Sequence, residues 1–197
     1  MAMPVYLGLV HYPIYNKNNE IVTTAITNFD IHDIARTART YDVLKYFIIH
    51  PLEAQKALAE EIISYWQEGY GGEYNPDRKE ALSIVEVIPD IAAAVAYITA
   101  KEGMPPIIVT TDARKYENTV SYARLRHQLS DTDRPCLLLF GTGWGLENSV
   151  MKQFDYILEP IYGPGNYNHL PVRAAVAIIL DRLLGEYWWK NTQNTAF

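Results

Sequence analysis

CLLLFGTGWGLENSV, residues 136–150, decides how the rest of the chain is read. An apolar run over 136–140 stops at a turn with glycine at positions 141, 143 and 145. A run that short, apolar throughout and cut off by glycine is a strand buried on both faces. Such strands belong to parallel sheets, whose crossover helices cover the two surfaces.

The same signature recurs in both directions. VYLGLV (5–10), YFIIH (46–50), SIVEVI (83–88), PIIVTT (106–111) and YILEPI (156–161) are short, rich in branched residues and followed by turn or cap residues. Helical spacing fills the intervals. Asp30 to Thr40 carries Ile31, Ile34, Ala35 and Ala38, with Asn28 or Asp30 as the expected cap. Leu52 to Gln67 is apolar at Leu58, Ile62, Ile63 and Trp66, and Gly69 stops it. Ile91 to Ala100, Asn118 to Gln128 and Pro171 to Trp188 read the same way, the last with Pro171 in a first turn. Tyr70 to Lys79 (YGGEYNPDRK) reads as an irregular connection, either a mobile lid or a long linker. Alternation from end to end predicts one α/β domain over 1–197, with a mainly parallel sheet, helices on both faces and right-handed crossovers. Ligands of such sheets bind beyond the carboxyl ends of the strands.

Composition narrows the classes. The chain has 197 residues, 49% hydrophobic and 20% charged, which is the balance of a folded globular protein. No apolar run reaches the roughly 18 residues of a membrane span. The start MAMPVYLGLVHYPI lacks the pattern of a signal peptide, so a cytoplasmic location is expected. Cys136 is the single cysteine, so no intramolecular disulfide and no cysteine-rich metal site is expected, and its apolar setting marks a packed thiol. The net charge of −6 argues against a uniformly phosphate-binding surface. Arg114, Lys115, Arg124 and Arg126 form one possible basic patch, read as a solvated face, and Arg36 with Arg39 forms another.

Three loops carry unusual residues. In TNFDIHDIARTARTYDV (27–43), Arg36 and Arg39 share a helical side and stay protonated, so they suit phosphate or a nucleophilic hydroxyl. His32 and Asp33 are possible proton acceptors there. GTGWGLENSV (141–150) lets a ligand approach the main chain, although its glycines alone are a weak signal. Glu147 reads as a cap or a surface residue, not a catalyst. In YGPGNYNHLPVRAAVAIIL (162–180), the polar residues Asn166 to His169 follow a Gly-Pro-Gly turn and can line a pocket.

Taken in order, these loops resemble the three motifs of the SPOUT class of RNA methyltransferases, of the SpoU and TrmD type. NFDIHDIARTA supplies an Asn and an Arg-Thr-Ala like the first motif, LLLFGTGWGL (137–146) looks like the glycine-turn motif, and EPIYGPGNYNHLPVRAAVAIIL (159–180) has the layout of the third. The resemblance covers most of the chain and is similar to the small stand-alone members. It implies a C-terminal deep trefoil knot, a homodimer, S-adenosylmethionine (SAM) as cofactor and RNA, tRNA or rRNA, as substrate. It implies cofactor contacts from Val109, Thr110 and Thr111, from Gly141, Thr142, Gly143, Trp144 and Gly145, from Glu159, Pro160 and Ile161, and from Asn168, His169 and Leu170. It implies Arg36 as the catalytic residue, presented across the dimer, with Asn28 holding its loop, and His169 as a further possible proton acceptor. Two side chains of the ribose-methylating branch are absent: Gly143 stands for a Glu and Pro171 for an Asn. The resemblance therefore leaves the methylated atom open, ribose hydroxyl or base nitrogen. The alternative is a dimeric SAM- or nucleotide-binding module without catalysis.

Overall fold

The structure, a computed structural model, describes residues 3–185. The strands are β1 (Val5–Val10), β2 (Ile14–Tyr15), β3 (Ile21–Val22), β4 (Lys45–Ile49), β5 (Val85–Ile88), β6 (Ile107–Thr111), β7 (Thr119–Val120), β8 (Cys136–Gly141) and β9 (Tyr156–Leu158). The helices are α1 (Asn28–Thr40), α2 (Glu53–Gln67), α3 (Tyr70–Tyr74), α4 (Pro76–Leu82), α5 (Ile91–Glu102), α6 (Tyr122–Ser130), α7 (Asn148–Met151) and α8 (Val172–Leu184).

Seven strands form one sheet in the order β5-β4-β1-β8-β6-β9-β7, and every neighbouring pair is parallel. All six residues of β1 are buried, as the continuous apolar run predicts. β1 pairs Leu9 with Ile48 of β4 on one side and with Phe140 of β8 on the other. Alternate residues then serve opposite cores. Leu7 and Leu9 join Ile48, Val109 and Leu138 under α1, α2, α4, α6 and α8. Tyr6 and Val10 join Phe47, Ile49 and Leu139 under α5 and α7. Helices cover both faces. The order reverses between β1 and β8, which places the carboxyl ends of β1, β8 and β6 side by side at the switch point.

Each of the six long strands expected from the sequence is present. The three two-residue strands are too short to show a period. Four expectations are corrected. Tyr70 to Lys79 is helical: α3 and α4 turn over it, α4 opening with Pro76 behind Asn75, whose side chain accepts from Arg78 N. The expected helix from Asn118 begins only at Tyr122, because Thr119–Val120 pairs with β9. The cap of α1 is Thr27, not Asn28 or Asp30: its hydroxyl accepts from Asp30 N at 3.2 Å and donates to the Asp30 carboxylate at 2.6 Å. The last helix runs to Leu184, with Pro171 at its cap and Gly185 after it. Trp188, its expected end, lies outside the described residues. Cys136 is packed as expected, and burial pushes its thiol up to about 12.

Gly8 lets the sheet centre close. A Cβ there would lie 2.7 Å from Leu139 Cδ2 and 3.0 Å from Ile49 Cδ1. Gly8→Ala should therefore overpack this layer and cost about 1–3 kcal/mol, read as a lower denaturation midpoint in urea with unchanged slope. An unchanged midpoint would refute this packing.

Candidate functional site

A cleft of about 710 Å³ opens at the carboxyl ends of β6, β8 and β9. That volume suits a small organic molecule. One wall is the glycine turn after β8. The second is the loop after β6, from Thr111 to Arg114. The third is the segment after β9 with its return, and the fourth is the chain entering α1, Thr24 to Asp30.

The glycine turn is shaped by what presses on it. Tyr15 N donates to Gly145 O at 2.9 Å, and Trp144 N donates to Tyr15 O at 3.1 Å, so β2 is paired with the turn. Gly143 has φ +54°, and a Cβ there would sit 3.0 Å from Ile14 Cγ2 and 3.3 Å from Tyr15 O. Gly145 has φ +96°, and its Cβ would meet Asp112 Oδ2 at 2.8 Å. The left-handed backbone and the crowding together demand glycine at both places. A Glu at 143 would have to adopt the left-handed backbone and press on Ile14 and Tyr15 of β2.

The loop after β6 is locked by its own ion pair. Arg114 donates to Asp112 from Nε at 3.0 Å and from Nη2 at 2.8 Å, a two-pronged contact, and Arg114 N donates at 2.7 Å. Asn168 Nδ2 donates to Ala113 O at 2.7 Å, clasping the returning segment to this loop. The Glu159 carboxylate accepts from Tyr122 N at 3.0 Å, so its charge holds the start of α6. Glu147 caps α7 through Ser149 N and Val150 N, as read from the sequence.

The fourth wall rests on Thr24, which faces the cleft with Thr142. The Thr142 hydroxyl donates to Val10 O at 3.0 Å, so it accepts from the Thr24 hydroxyl. With that hydrogen spent, Thr24 Oγ1 accepts from His11 Nδ1–H at 3.0 Å. His11 Nε2 is then a bare, buried acceptor without a partner among the described residues. His50 accepts from Leu52 N at 3.1 Å through Nδ1, so its Nε2–H donates to Thr24 O at 3.0 Å. Both imidazoles are buried and neutral. Burial, then the neighbouring His50, pushes His11 down to about 4.

Of the residues expected at the site, Thr111, the run 141–145, the run 159–161 and the run 168–170 all line this cleft. Val109 and Thr110 do not. Val109 is packed in the core, and Thr110 is fully buried with an unpartnered hydroxyl. Asn28 is exposed at the start of α1, and Arg36 lies on an exposed part of that helix, beside Arg39, Asp77 and Glu80. Neither belongs to the cleft of its own chain. Arg39 is neutralised by Asp42 and Glu80, whereas Arg36 has no ion pair among the described residues. Asp33 pairs with Arg173 at 3.3 Å, and His32 packs on Trp66. Of the group read as a solvated face, Arg114, Lys115 and Arg124 are exposed, Arg114 being paired with Asp112, whereas Arg126 is buried and donates to Arg182 O. Sequence reading missed Asp30, Asp112 and Thr24. Asp30 is buried in the cleft wall, 3.5 Å from Arg173 Nη1. Its place three residues after Thr27, a reciprocal capping pattern, was the available signal.

The comparisons with known proteins agree with this architecture. Residues 4–185 match the model of a family described as SAM-dependent RNA methyltransferase, and the chain belongs to that family. It is 46% identical over 179 residues to an uncharacterized protein of Aquifex aeolicus, covering 91% of this chain and 87% of that protein. It is 42% identical over 182 residues to a tRNA (guanine-N(1)-)-methyltransferase of Nitratidesulfovibrio vulgaris, covering 92% of this chain but 42% of that relative. The chain thus spans less than half of the latter's length. The SpoU methyltransferase AviRb from Streptomyces viridochromogenes, solved with the cofactor AdoMet, shares the fold with a TM-score of 0.57 and 16% identity, covering 94% of this chain and 58% of that one. The expectation of a SPOUT-class α/β fold, SAM as cofactor and methyl transfer to RNA is borne out. No helix among the described residues is long and apolar enough to cross a membrane.

The histidine pair makes a pH prediction. His11 is neutral in the fold down to about 4, whereas an unfolded imidazole takes a proton below about 6.5. Proton binding then favours the unfolded chain, so stability is unaffected above that value and falls as pH drops toward about 4. Thermal melts of His11→Gln should start lower at neutral pH but decline less on acidification than wild type. Parallel declines would contradict a buried neutral His11.

Proposed function

We propose that the cleft at the ends of β6, β8 and β9 is where SAM binds, and that each cleft works with Arg36 of a second subunit in a homodimer. The fit is physical. The cleft has the volume for a nucleoside-sized ligand, apolar walls at Phe140, Ile161 and Ile179, and main chain brought close by glycines 141, 143 and 145. The Gly141–Gly145 turn would hold the adenosine with the segments 159–161 and 168–170. Bound SAM supplies an electrophilic methyl group on a sulfonium, so the protein's task is to position the acceptor in line with it.

The observation that carries the reading is the clasp of Asn168 on Ala113, which ties the returning segment to the loop after β6 on the wall of the same cleft that the glycine turn lines. Arg36 supports the dimer. It is exposed and unpaired among the described residues, and it sits outside its own chain's cleft. An arginine in that state can bind a phosphate or polarise a hydroxyl when a partner's cleft faces it. Asn28, exposed at the head of α1, would steady the same contact. The substrate class we favour is tRNA, because a relative covering nearly all of this chain carries that name. The C-terminal segment that runs from β9 under the clasp to α8, which packs on α1 and α6, is the part we expect to be threaded as a trefoil knot.

Transfer of tritiated methyl from SAM to unfractionated tRNA tests the assignment. Arg36→Ala should lose transfer on the order of 10²-fold while S-adenosylhomocysteine affinity, read by calorimetry, stays within about two-fold. Mixed dimers of Arg36→Ala with the cleft variant Gly145→Val should regain part of the activity. Full activity in Arg36→Ala, or no recovery in the mixed dimers, would overturn the shared site.

A further inference from the structure

The crossover from β4 to β5 carries more than a return helix. After α2, the short helices α3 and α4 form an elbow that packs back on α1 and α2. Two glycines make it possible. A Cβ on Gly71 would lie 2.6 Å from Tyr65 Cε1, and one on Gly72 would lie 2.3 Å from Trp66 O. The close approach leaves Tyr70 and Tyr74 standing out, 69% and 76% exposed, with their rings stacked at 6.3 Å. Trp66 is the elbow's organising ring. The Arg78 guanidinium lies over it at 4.5 Å, and His32 of α1 meets its edge at 5.3 Å. Arg36 follows His32 one turn later on the same helix face.

The elbow also sets a cation, Arg78, beside its exposed rings. Among the described residues, neither Arg36 nor Arg78 has an ion pair, on a chain of net charge −6. Of the nearby carboxylates, Glu80 is held by Arg39, while Glu73 and Asp77 make no ion pair among the described residues. Burial lowers the His32 pKa, and the Arg78 field lowers it further, so the imidazole is neutral and adds no charge of its own. Arginine forks suit phosphate, and exposed stacked rings suit unpaired bases. Together they match a single-stranded segment of RNA better than a duplex, whose bases are already stacked.

We propose that the α3–α4 elbow is a second contact surface for the RNA substrate, with Arg78 on a phosphate and Tyr70 and Tyr74 under its bases. This rests on the RNA-methyltransferase reading and extends it to a stretch of RNA outside the methylation cleft. A second copy of the chain is the competing occupant.

The test uses the full chain, total cellular RNA in filter retention, and a salt series. Arg78→Ala should flatten the slope of log affinity against log salt by roughly 0.7–0.9, one phosphate contact. Tyr70→Ala/Tyr74→Ala should weaken RNA binding about ten-fold at fixed salt and leave the slope alone. Both rings are exposed, so that variant should fold, and S-adenosylhomocysteine affinity should not change in either. Wild-type affinity and slope in both variants would overturn the proposal, as would a wild-type chain that retains no RNA. So would variants that keep RNA binding but dissociate dimers in sedimentation, which would assign the elbow to a protein contact. Failure of wild type to bind S-adenosylhomocysteine strikes the cofactor assignment instead and leaves the elbow's result standing.

Discussion

The turn between Gly141 and Gly145 has no room for side chains at its two left-handed positions, and the site is built around that constraint. β2 presses on one side through Ile14 and Tyr15, and the Asp112–Arg114 pair presses on the other. Left-handed backbone at 143 and 145 follows, and only glycine takes it without strain. The result is a rigid strip of main chain at the end of a central strand. Rigid polar main chain beside an apolar wall can recognise a nucleoside without charged side chains. That is why an acidic chain with few free cations near the cleft can still belong to a cofactor-dependent family.

A second layer of order lies behind the cleft. Thr24 receives both imidazoles, one on its hydroxyl and one on its carbonyl, and passes its hydrogen to Thr142. The ends of β1, β4 and β8 are thereby tied to the segment that leads into α1. A buried network of this sort specifies one arrangement because each donor has one acceptor left. Arg36 and Asp30 ride on the helix it positions, Asp30 toward the cleft and Arg36 away from it.

The long strands and helices were legible because their apolar periods are undiluted: 5–10 and 136–140 admit no other reading. The cleft was legible at its glycine turn and at Asn168, where residue type and loop position coincide. Asp112 was not, because a carboxylate after a strand reads as solvated until Arg114 folds back on it. Thr24 and His11 were hidden for a related reason: their pairing joins segments that are distant in sequence. The 70–79 segment misled because Gly, Pro and Asn favour turns locally. Here Pro76 and Asn75 start a helix, and packing on Trp66 sustains it. Arg36 was legible through the resemblance, which already set it across a dimer, and the coordinates place it outside its own chain's cleft.

The central claim is that cofactor lies against the glycine turn, closed in by the segment that Asn168 clasps. A crystal structure with S-adenosylhomocysteine tests it most directly. The account predicts the adenosine between residues 141–145 and 168–170, with the homocysteine sulfur turned toward the start of α1. Ligand density elsewhere on the sheet, or an empty cleft at saturating ligand, would contradict it.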